Sequence, residues 1–526
     1  MLKPAPLPPS SFLDQLVFQA LVPEDHYLRK VMAVIDFESF RPRLNGAYNL
    51  EMGRPPIDPV RMLKVCYLCF HYRLSDRQVM ERARTDMAFR WFLDLALADK
   101  VPDHTNGTHF RHRIGAERFQ QVFDDLVGMA RQHGLVNDRL RLKDPTHMLA
   151  DAVRVWPLQL VTQVRERLLK AAEPLFAEWV AEQRTLSDTL RQTTAELPED
   201  DRLGQRVEQL RQMTLAAQQQ LAALPAPTEN DVHRQRLQRA VALAAKLLAD
   251  CADPKGHDRL VSAVDPDARV GKHGAYYVGY LLDIAIDSQS EIITALNVLP
   301  GNGLEAADAV KLIQQEEAAQ ANHVEGISMD GAGYNGPVLR ELTDPKGLNL
   351  DVTVPPPPTP PSQLFGPERF TVQTAADGVA VLTCPNGQTC RPRCQSTKPP
   401  GTNYAFAPAQ CVACPLRQQC LNPATKGGRN VFKNEYQAEY DQVHAKAQTT
   451  AYRETRRAHR KIERKLNELA RHHDCRRAKY RGQGKVRVQA LLTGFVVNLK
   501  RMVCLLVDSV PNAIRELPVR AELVAG

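Results

Sequence analysis

One stretch in the second half of the chain alternates strand-like and helix-like patterns, and this alternation limits the chain to folds with an αβ core. Tyr276–Ile286 and Glu291–Leu299 are rich in aromatic and β-branched residues, so both are predicted to be strands. Gly303–Ala319 has helical spacing, and Gly326–Met329 is a short apolar run that ends at Asp330. We therefore expect a core of strands and helices with an acidic residue at the end of one strand.

Helical patterns precede this core. Apolar residues recur at three- and four-residue steps up to Gly134, and Ser75 is a good N-cap, so Pro59–Tyr72 and Asp76–Asp86 are predicted to be two short helices. The pair fits a helix-turn-helix or an ordinary helical hairpin equally well. Leu158–Ala249 is rich in Leu, Ala, Gln, Arg and Glu at helical spacing, which indicates a helical insertion that serves as a spacer or a dimerisation arm.

The chain is basic, with 68 Lys and Arg residues against 60 Asp and Glu residues, which favours polyanionic partners. The cations are concentrated in a predicted helical region from about Asn434 to Val507. At such density they can neutralise several phosphates of a nucleic acid, although a solvated helix face is the alternative. The cations that we predict to contact DNA are Arg456, Arg460, Arg464, Arg471, Arg476, Arg477, Lys479, Arg481 and Lys485.

The cysteines are best explained by a reducing compartment. No uninterrupted apolar run is long enough to cross a bilayer, and the N-terminus lacks the apolar core of a signal peptide, so we expect a cytoplasmic protein with no membrane partner. Eleven cysteines in such a chain argue against a disulfide framework. Cys411 and Cys414 have the spacing of a zinc knuckle, which Cys384 and Cys420 could complete. Reduced thiols without a metal are the alternative.

Two aspartates stand where strands are expected. Asp144 lies in a short apolar-flanked stretch directly before Pro145, and Asp330 lies between an apolar run and Gly331. An acid at the carboxyl edge of a strand points into a crevice, whereas a solitary Asp before Gly is commonly only a turn residue. Carboxylates that converge from distant parts of a chain can hold the two divalent ions used in phosphodiester cleavage.

A glutamate in the basic region is a third candidate. Glu463 borders the apolar helix face formed by Ile462 and Leu466, with Arg460 one turn before it. The alternative is a surface ion pair between Glu463 and Arg460. Glu454 and Glu468 are local rivals for the same role.

Nine short motifs occur in a fixed order along the chain. They begin at Leu74 (Leu-Ser-Asp-Arg-Gln), Pro102 (Pro-Asp-His), Phe110 (Phe-Arg-His-Arg), Asp144 (Asp-Pro-Thr-His), Asp265 (Asp-Pro-Asp-Ala-Arg), Gly279 (Gly-Tyr), Asp330 (Asp-Gly-Ala-Gly-Tyr), Ile462 (Ile-Glu-Arg) and Val497 (Val-Asn-Leu-Lys-Arg). In this order they resemble bacterial insertion-sequence transposases with a ribonuclease H-like DDE core and a helical N-terminal transposase domain. Two departures from that family are Leu281, where the family usually has Asn after Gly-Tyr, and Ala470-Arg471, where a lysine is often found.

The resemblance implies a metal-dependent DNA transposase that cuts and rejoins DNA at the ends of an insertion sequence. Asp144, Asp330 and Glu463 would be the catalytic acids that hold Mg²⁺ or Mn²⁺, and Asp151 is a rival for the first position. The implied partners are the terminal inverted repeats and target DNA, both double-stranded, and a second copy in a homodimer on DNA. A bacterial, nucleoid-associated location follows. The alternatives are a decayed or domesticated DNA-binding derivative without catalysis, and a nuclease that only hydrolyses DNA.

The expected fold is multidomain α/β, with a ribonuclease H-like mixed β-sheet core and flanking helices, a helical insertion within the core, and an all-α N-terminal domain. We divide the chain into a DNA-binding N-terminal domain (1–134), a first part of the catalytic core with the first Asp (135–157), the helical insertion (158–255), a second part of the core with the second Asp (256–354), a Pro- and Cys-rich insertion with a zinc site (355–433), and a basic helical part of the core with the Glu (434–526).

Overall fold

The structure is a computed structural model that describes residues 11–49, 56–225, 231–358, 364–374 and 378–508. The Pro-rich leader, the break at Ala226-Pro227 and the end of the polyproline connector lie outside the described residues. The N-terminal part is helical: α1 (Phe12–Leu21), α2 (Tyr27–Val34), α3 (Arg41–Asn45), α4 (Pro59–His71), α5 (Asp76–Thr85), α6 (Met87–Phe92) and α7 (Thr105–Gln132).

The two short helices predicted around Ser75 are confirmed as α4 and α5. The Ser75 side chain accepts a hydrogen bond from the backbone N–H of Gln78, and the Gln78 side chain accepts one from the backbone N–H of Ser75, which is a reciprocal N-terminal cap. Helix α4 is apolar and buried along nearly its whole length. Helix α5 buries only Val79, Met80 and Ala83, so its remaining surface faces solvent.

The first core strand, β1 (Arg141–Leu149), is followed directly by the insertion, as predicted. Apolar residues of all four of its helices, among them Leu168, Val180 and Leu210, form a hydrophobic core separate from the main one. The insertion can therefore keep its shape through its own packing. Its helices are α8 (Pro157–Ala172), α9 (Ala177–Thr193), α10 (Glu199–Ala223) and α11 (Val232–Ala252).

The strands and the helix predicted after the insertion are confirmed by β3, β4, β5 and α12. This part of the chain consists of β2 (Arg269–His273), β3 (Ala275–Asp287), β4 (Ile293–Pro300), α12 (Glu305–Gln320), β5 (Gly326–Ser328), α13 (Gly336–Thr343) and β6 (Asp351–Thr353).

One mixed sheet unites these strands with β1. Strand β1 is central, antiparallel to β3 on one side and parallel to β5 on the other, and β6 follows parallel to β5. Strand β3 also pairs antiparallel with β2 along its first half and with β4 along its second half. The mixed α/β fold class is therefore confirmed.

The Cys-rich segment forms two small antiparallel sheets, and three helices follow it. The segment contains β7 (Thr371–Thr374), β8 (Ala380–Thr383), β9 (Thr389–Cys390), β10 (Pro392–Thr397), β11 (Pro400–Ala405), α14 (Pro408–Val412), α15 (Arg417–Cys420) and β12 (Asn430–Asn434). The helices are α16 (Gln437–Ala447), α17 (Thr450–His472) and α18 (Gln483–Val503).

Helix α18 is the described helix that comes nearest to a membrane span, although Lys485, Lys500 and Arg501 interrupt its apolar residues. Gln483–Asp508 has the length and composition to span a bilayer, yet 67% of its apolar window is buried inside the protein. The helix packs against α7, α4, α2 and β4, and its apolar residues belong to the same core as those of the N-terminal helices and the sheet. Its hydrophobicity thus serves an internal packing role.

Two of the family-like motifs fix α18 in place. The buried side chain of Asn498 donates to the carbonyl of Ile293 over 2.7 Å and accepts from its N–H over 2.8 Å, which extends the hydrogen bonding of β4 onto the helix. At the other end of α18, buried Asp265 accepts from the Tyr280 hydroxyl (2.7 Å) and from the N–H of Gly482 (2.9 Å). These motifs therefore have structural roles in this chain.

A buried ion pair ties the sheet to α12. Arg141 at the start of β1 has a fully buried side chain, which donates to the equally buried Glu316 with Nη2 2.6 Å from Oε1. A second donation, over 2.6 Å, reaches the carbonyl of Asn137. Arg141 Nη1 also lies 3.5 Å from Oδ2 of fully buried Asp287. None of these charges has access to water, so removing Arg141 leaves buried carboxylates uncompensated.

We expect Arg141→Met to lower the free energy of unfolding by about 3–5 kcal/mol, because Glu316 would remain charged and buried. The double variant Arg141→Met/Glu316→Leu should recover part of this loss, because only Asp287 would then remain buried without Arg141. Arg43→Met, which removes an exposed pair with Asp125, is the control and should cost less than about 1 kcal/mol. Urea denaturation of the three variants measures these values, and equal costs for Arg141 and Arg43 would contradict the argument.

Candidate active site

The first two predicted acids lie at matching positions on neighbouring parallel strands. Leu142 of β1 is paired with Ser328 of β5, and this is the last residue pair between the two strands. Asp144 and Asp330 each follow two residues later, so both side chains lie on the same face of the sheet. Because pairing ends at this point, the two acids stand where the strands part, which is the usual position of a crevice in an open α/β sheet.

Helix α17 crosses this opening and carries the third acid. It packs on β1, β5 and β6. Buried His459 shares a hydrogen bond with Ser328, with 3.1 Å between Nδ1 and Oγ, and Arg456 donates to the carbonyl of Met329 over 2.7 Å. Glu463 lies one turn beyond His459 on the same side of the helix, with an exposed side chain. The contacts of α17 with the end of β5 hold the helix beside the acids, and the charge of Glu463 acts on Asp144.

The charges of these acids act on one another. Burial, together with the negative charges of Asp330, Glu305 and Glu463, raises the pKa of Asp144 to about 7, against the opposing effect of Lys143. Glu305 is the first residue of α12, and its pKa is raised by burial and by Asp330. Repulsion among these carboxylates reaches Asp144 because the site is partly shielded from water. The three predicted acids thus share one electrostatic environment with a fourth.

Lys143, next to Asp144 in β1, contacts both a buried acid and the start of α12. Its buried ammonium group lies 2.9 Å from Oδ2 of fully buried Asp283 and donates to the carbonyl of Glu305 over 2.7 Å. Burial raises the pKa of Asp283 to about 8, against the opposing effect of Lys143. Lys143 therefore holds the first turn of α12, with Glu305, against the strand that carries Asp144.

The chemistry of the acidic cluster suits a divalent ion, but its geometry is not that of a finished metal site. Carboxylate oxygens are the ligands that Mg²⁺ and Mn²⁺ prefer. Across the described ranges, no three His, Cys, Asp or Glu side chains are close enough together to hold a metal ion. The acids are therefore neighbours whose oxygens do not converge on one point in this structure.

The rival acids have other surroundings. Asp151 lies after β1 on an exposed segment, where its carboxylate forms an ion pair with Arg481 over 3.0 Å. Glu468 is paired with Lys465 (2.8 Å) and with Lys500 of α18 (3.4 Å). Glu454 is nine residues before Glu463 and thus on the opposite side of α17.

Four of the cations predicted to contact DNA are engaged within the protein. Arg456 bonds to the end of β5 as described above, Arg464 pairs with Glu291 over 3.1 Å, and Arg481 pairs with Asp151. Lys479 lies 3.6 Å from Asp474. The other five have exposed side chains, and no ion pair with a described carboxylate is found for them: Arg460, Arg471, Arg476, Arg477 and Lys485.

The four cysteines predicted to bind zinc line one small cavity of about 20 Å³, next to the aromatic side chains of Phe370 and Phe406. A tight turn follows Cys384, whose carbonyl accepts from the N–H of Gly387 over 2.8 Å. Burial raises the pKa of Cys390 to about 11, with further contributions from Cys384 and Cys411, so a fifth thiol lies beside the four. The sulfur atoms gather around one space but, within the described residues, not at the spacing of a formed metal site.

Two residues of the acidic site, Glu305 and His459, carried no distinctive signal in the sequence. Glu305 reads as an ordinary acid in the first turn of a helix, where it complements the helix dipole. His459 reads as part of a basic run. The spacing of His459 is nevertheless informative, because it precedes Glu463 by four residues and therefore shares its helix face.

Segments near both ends of the chain match models of known protein families. A transposase domain (DUF772) matches residues 16–113, and a transposase DDE domain matches residues 383–503. Both matching models describe transposase domains, one near each end of the chain. More narrowly, the two matches confirm the resemblance to insertion-sequence DDE transposases. Glu463 falls inside the second match, whereas Asp144 and Asp330 lie between the two. No curated protein matches the chain, and no solved structure does.

The buried histidine predicts how the stability of the α17 interface depends on pH. Burial lowers the pKa of His459 to about 4, whereas an unfolded histidine titrates near about 6.5. The unfolded state therefore binds the extra proton first, and stability is lost as the pH falls from 6.5 towards 4. At pH 5 this histidine should cost about 2 kcal/mol.

His459→Asn, which retains a polar atom near the Nδ1 position but does not titrate, should lose less stability between pH 7.5 and pH 5 than the wild type. Urea denaturation at both pH values gives the comparison, with His472→Asn, at an exposed position of the same helix, as the control. If both variants follow the wild type, His459 is not the titrating group.

Proposed function

We propose that this protein is a DNA transposase that cleaves DNA at the ends of an insertion sequence and joins it to target DNA, with Asp144, Asp330 and Glu463 as the catalytic acids. The observation that carries the proposal is the matched position of Asp144 and Asp330 beyond the last residue pair of β1 and β5, with α17 crossing above them. Cleavage and joining take place in the bacterial cytoplasm at the nucleoid, on DNA held by two copies of the chain.

The arrangement of the sheet supports a ribonuclease H-like core. Three strands, β1, β3 and β4, are antiparallel neighbours, and β5 and β6 continue the sheet in parallel to β1. Helix α12 connects the antiparallel part to β5, and α13 connects β5 to β6. The acids belong to the central strand, to the end of its parallel neighbour and to a later helix, so each comes from a different part of the chain.

The residues of the chain have separable tasks in this proposal. Asp144, Asp330 and Glu463 supply the oxygen ligands, and Glu305 adds negative charge beside them. Two divalent ions bound there would activate the attacking water or 3′-hydroxyl and stabilise the departing 3′ oxygen. Lys143 and His459 fix the elements that carry the acids, so that small side-chain movements would suffice to bring the ligands onto an ion.

The N-terminal helices and the basic C-terminal part offer a common surface for DNA. A cleft of about 440 Å³ lies between α7 and the start of α18, and its lining includes His112, Tyr480, Arg481 and Lys485. Cations, a histidine and an aromatic ring in one cleft suit a phosphate backbone. We propose that this cleft takes part in holding the DNA.

Asp330→Asn should reduce Mg²⁺-dependent nicking of a plasmid that carries the DNA flanking the coding region by on the order of 10³-fold. Asp144→Asn and Glu463→Gln should do the same, and DNA binding in a gel-shift assay should persist in all three. Asp151→Asn is the control and should cleave normally. The appearance of joined products separates a transposase from a nuclease that only hydrolyses DNA. Full activity of Asp330→Asn would remove the proposed site.

We also propose that Cys384, Cys411, Cys414 and Cys420 hold a structural Zn²⁺, because four thiols surround one cavity and thiolates favour this ion. The purified protein should contain about one zinc per chain. Cys411→Ser/Cys414→Ser should lose the metal and melt at a lower temperature, whereas Cys394→Ser, at an exposed position in the same segment, should keep it. Metal analysis of the three proteins decides, and a zinc-free wild type would refute the proposal.

A further inference from the structure

The helical insertion has a groove on the side where it meets the sheet. The groove has a volume of about 960 Å³ and lies between α8, α11 and the segment leading into β2. Six cations line it, against a single acid, Asp267. They are Arg167 and Lys170 on α8, Arg236, Arg239 and Lys246 on α11, and Arg269 in β2.

Four of these six cations have no acidic partner. Lys246 is paired with Asp250 over 2.6 Å, and Arg269 is paired with Asp258 over 2.5 Å. The remaining four, Arg167, Lys170, Arg236 and Arg239, are exposed and form no ion pair with any carboxylate in the described ranges. Unpaired cations that face one another across a groove repel each other, so an anion that enters would be attracted by all of them.

The charge of the groove is not a consequence of a generally basic insertion. Residues 158–255 contain slightly more acidic than basic residues. The other arginines of the insertion include several paired with neighbouring acids, such as Arg184 with Glu173 and Arg211 with Glu208. Cations spaced three to four residues apart lie on one helix face, and on α8 and α11 that face is the one turned to the groove.

The groove continues into the cleft proposed above to hold DNA. Asp267 lines both spaces, and its carboxylate accepts from the N–H of Gln483 at the start of α18. Burial and the positive charge of Arg481 lower the pKa of Arg167, so the cations of the two spaces act on each other. The two spaces therefore adjoin at Asp267, with cations lining each of them.

We propose that the insertion is a DNA-binding arm whose groove holds the phosphate backbone of duplex DNA through Arg167, Lys170, Arg236 and Arg239. The choice of DNA as the polyanion rests on the proposed function, and the continuity with the α7–α18 cleft supports it. The contacts would be to phosphates, so binding through the groove would be insensitive to base sequence and would weaken with salt. A second copy of the chain, with an acidic surface, is the competing occupant.

The test compares two triple variants of the full chain with the same change in charge. The groove variant is Arg167→Glu/Arg236→Glu/Arg239→Glu. The control is Arg184→Glu/Arg191→Glu/Arg211→Glu, which changes exposed insertion arginines outside the groove. The probe is a fluorescent 40-base-pair duplex of arbitrary sequence, titrated without divalent metal at several salt concentrations. The assay measures DNA binding and does not require catalysis. It therefore tests the groove independently of the cleavage experiment with Asp330→Asn.

We expect the groove variant to bind the duplex at least about tenfold more weakly than the wild type at 0.1 M salt. Its slope of log K against log salt should be shallower by about 2–3, since each phosphate contact contributes about 0.9. The control should differ by less than about twofold. Equal effects of the two variants would overturn the proposal. A groove variant that keeps the wild-type slope but no longer dimerises in light scattering would also overturn it, in favour of a second copy.

Charge reversal could unfold the arm, so a milder triple variant, Arg167→Gln/Arg236→Gln/Arg239→Gln, accompanies the test. It should retain the circular dichroism and melting temperature of the wild type and still show a reduced salt slope. A folded Gln variant with an unchanged slope would count against the groove as a DNA site.

Discussion

Burial of α18 is the contact on which the rest of the molecule depends. Its apolar residues pack between α7 and α4 on one side and β4 on the other, so the N-terminal helices and the sheet share one hydrophobic core. The ends of the helix are fixed by specific hydrogen bonds, from Asn498 to β4 and from Gly482 to Asp265. A helix buried in this way cannot shift without opening the core, and the basic segment before it is held in place as a result.

The position of the acids depends on a second constraint, the short pairing of β5 with β1. Two residue pairs set the register, and the strands then separate. A longer β5 would continue the pairing past Asp144, and the site would close into ordinary sheet. The contact between Ser328 and His459 uses the last paired residue of β5 to place α17. Strand register and helix placement are thus set by adjacent residues, which makes the geometry of the acids a property of the core and not of a loop.

Local patterns were sufficient to predict β3, β4, α12 and the pair α4 and α5, because alternation, helical spacing and an N-cap are encoded within a few residues. The sequence also led to Asp144 and Asp330 as strand-end acids. It could not show that these two residues occupy matching positions, because that depends on pairing between segments about 180 residues apart. The site assignment from sequence rested on the order of the motifs, and the geometry adds the physical reason for their proximity.

Which helix faces meet is another property that local patterns do not contain. The periodicity of the insertion separates apolar from polar faces but cannot tell that Arg167 of α8 and Arg236 of α11 border the same groove. Local sequence likewise shows Glu305 only as an acid at the start of a helix. Its position beside the other acids depends on the contact between α12 and β1. In both cases the side chains carry like charges that folding brings together at a cost in free energy. The free energy of folding must offset that repulsion, and a ligand of opposite charge relieves it. Binding of cations at the acids and of a polyanion along the groove would therefore stabilise the folded protein as well as serve its reaction.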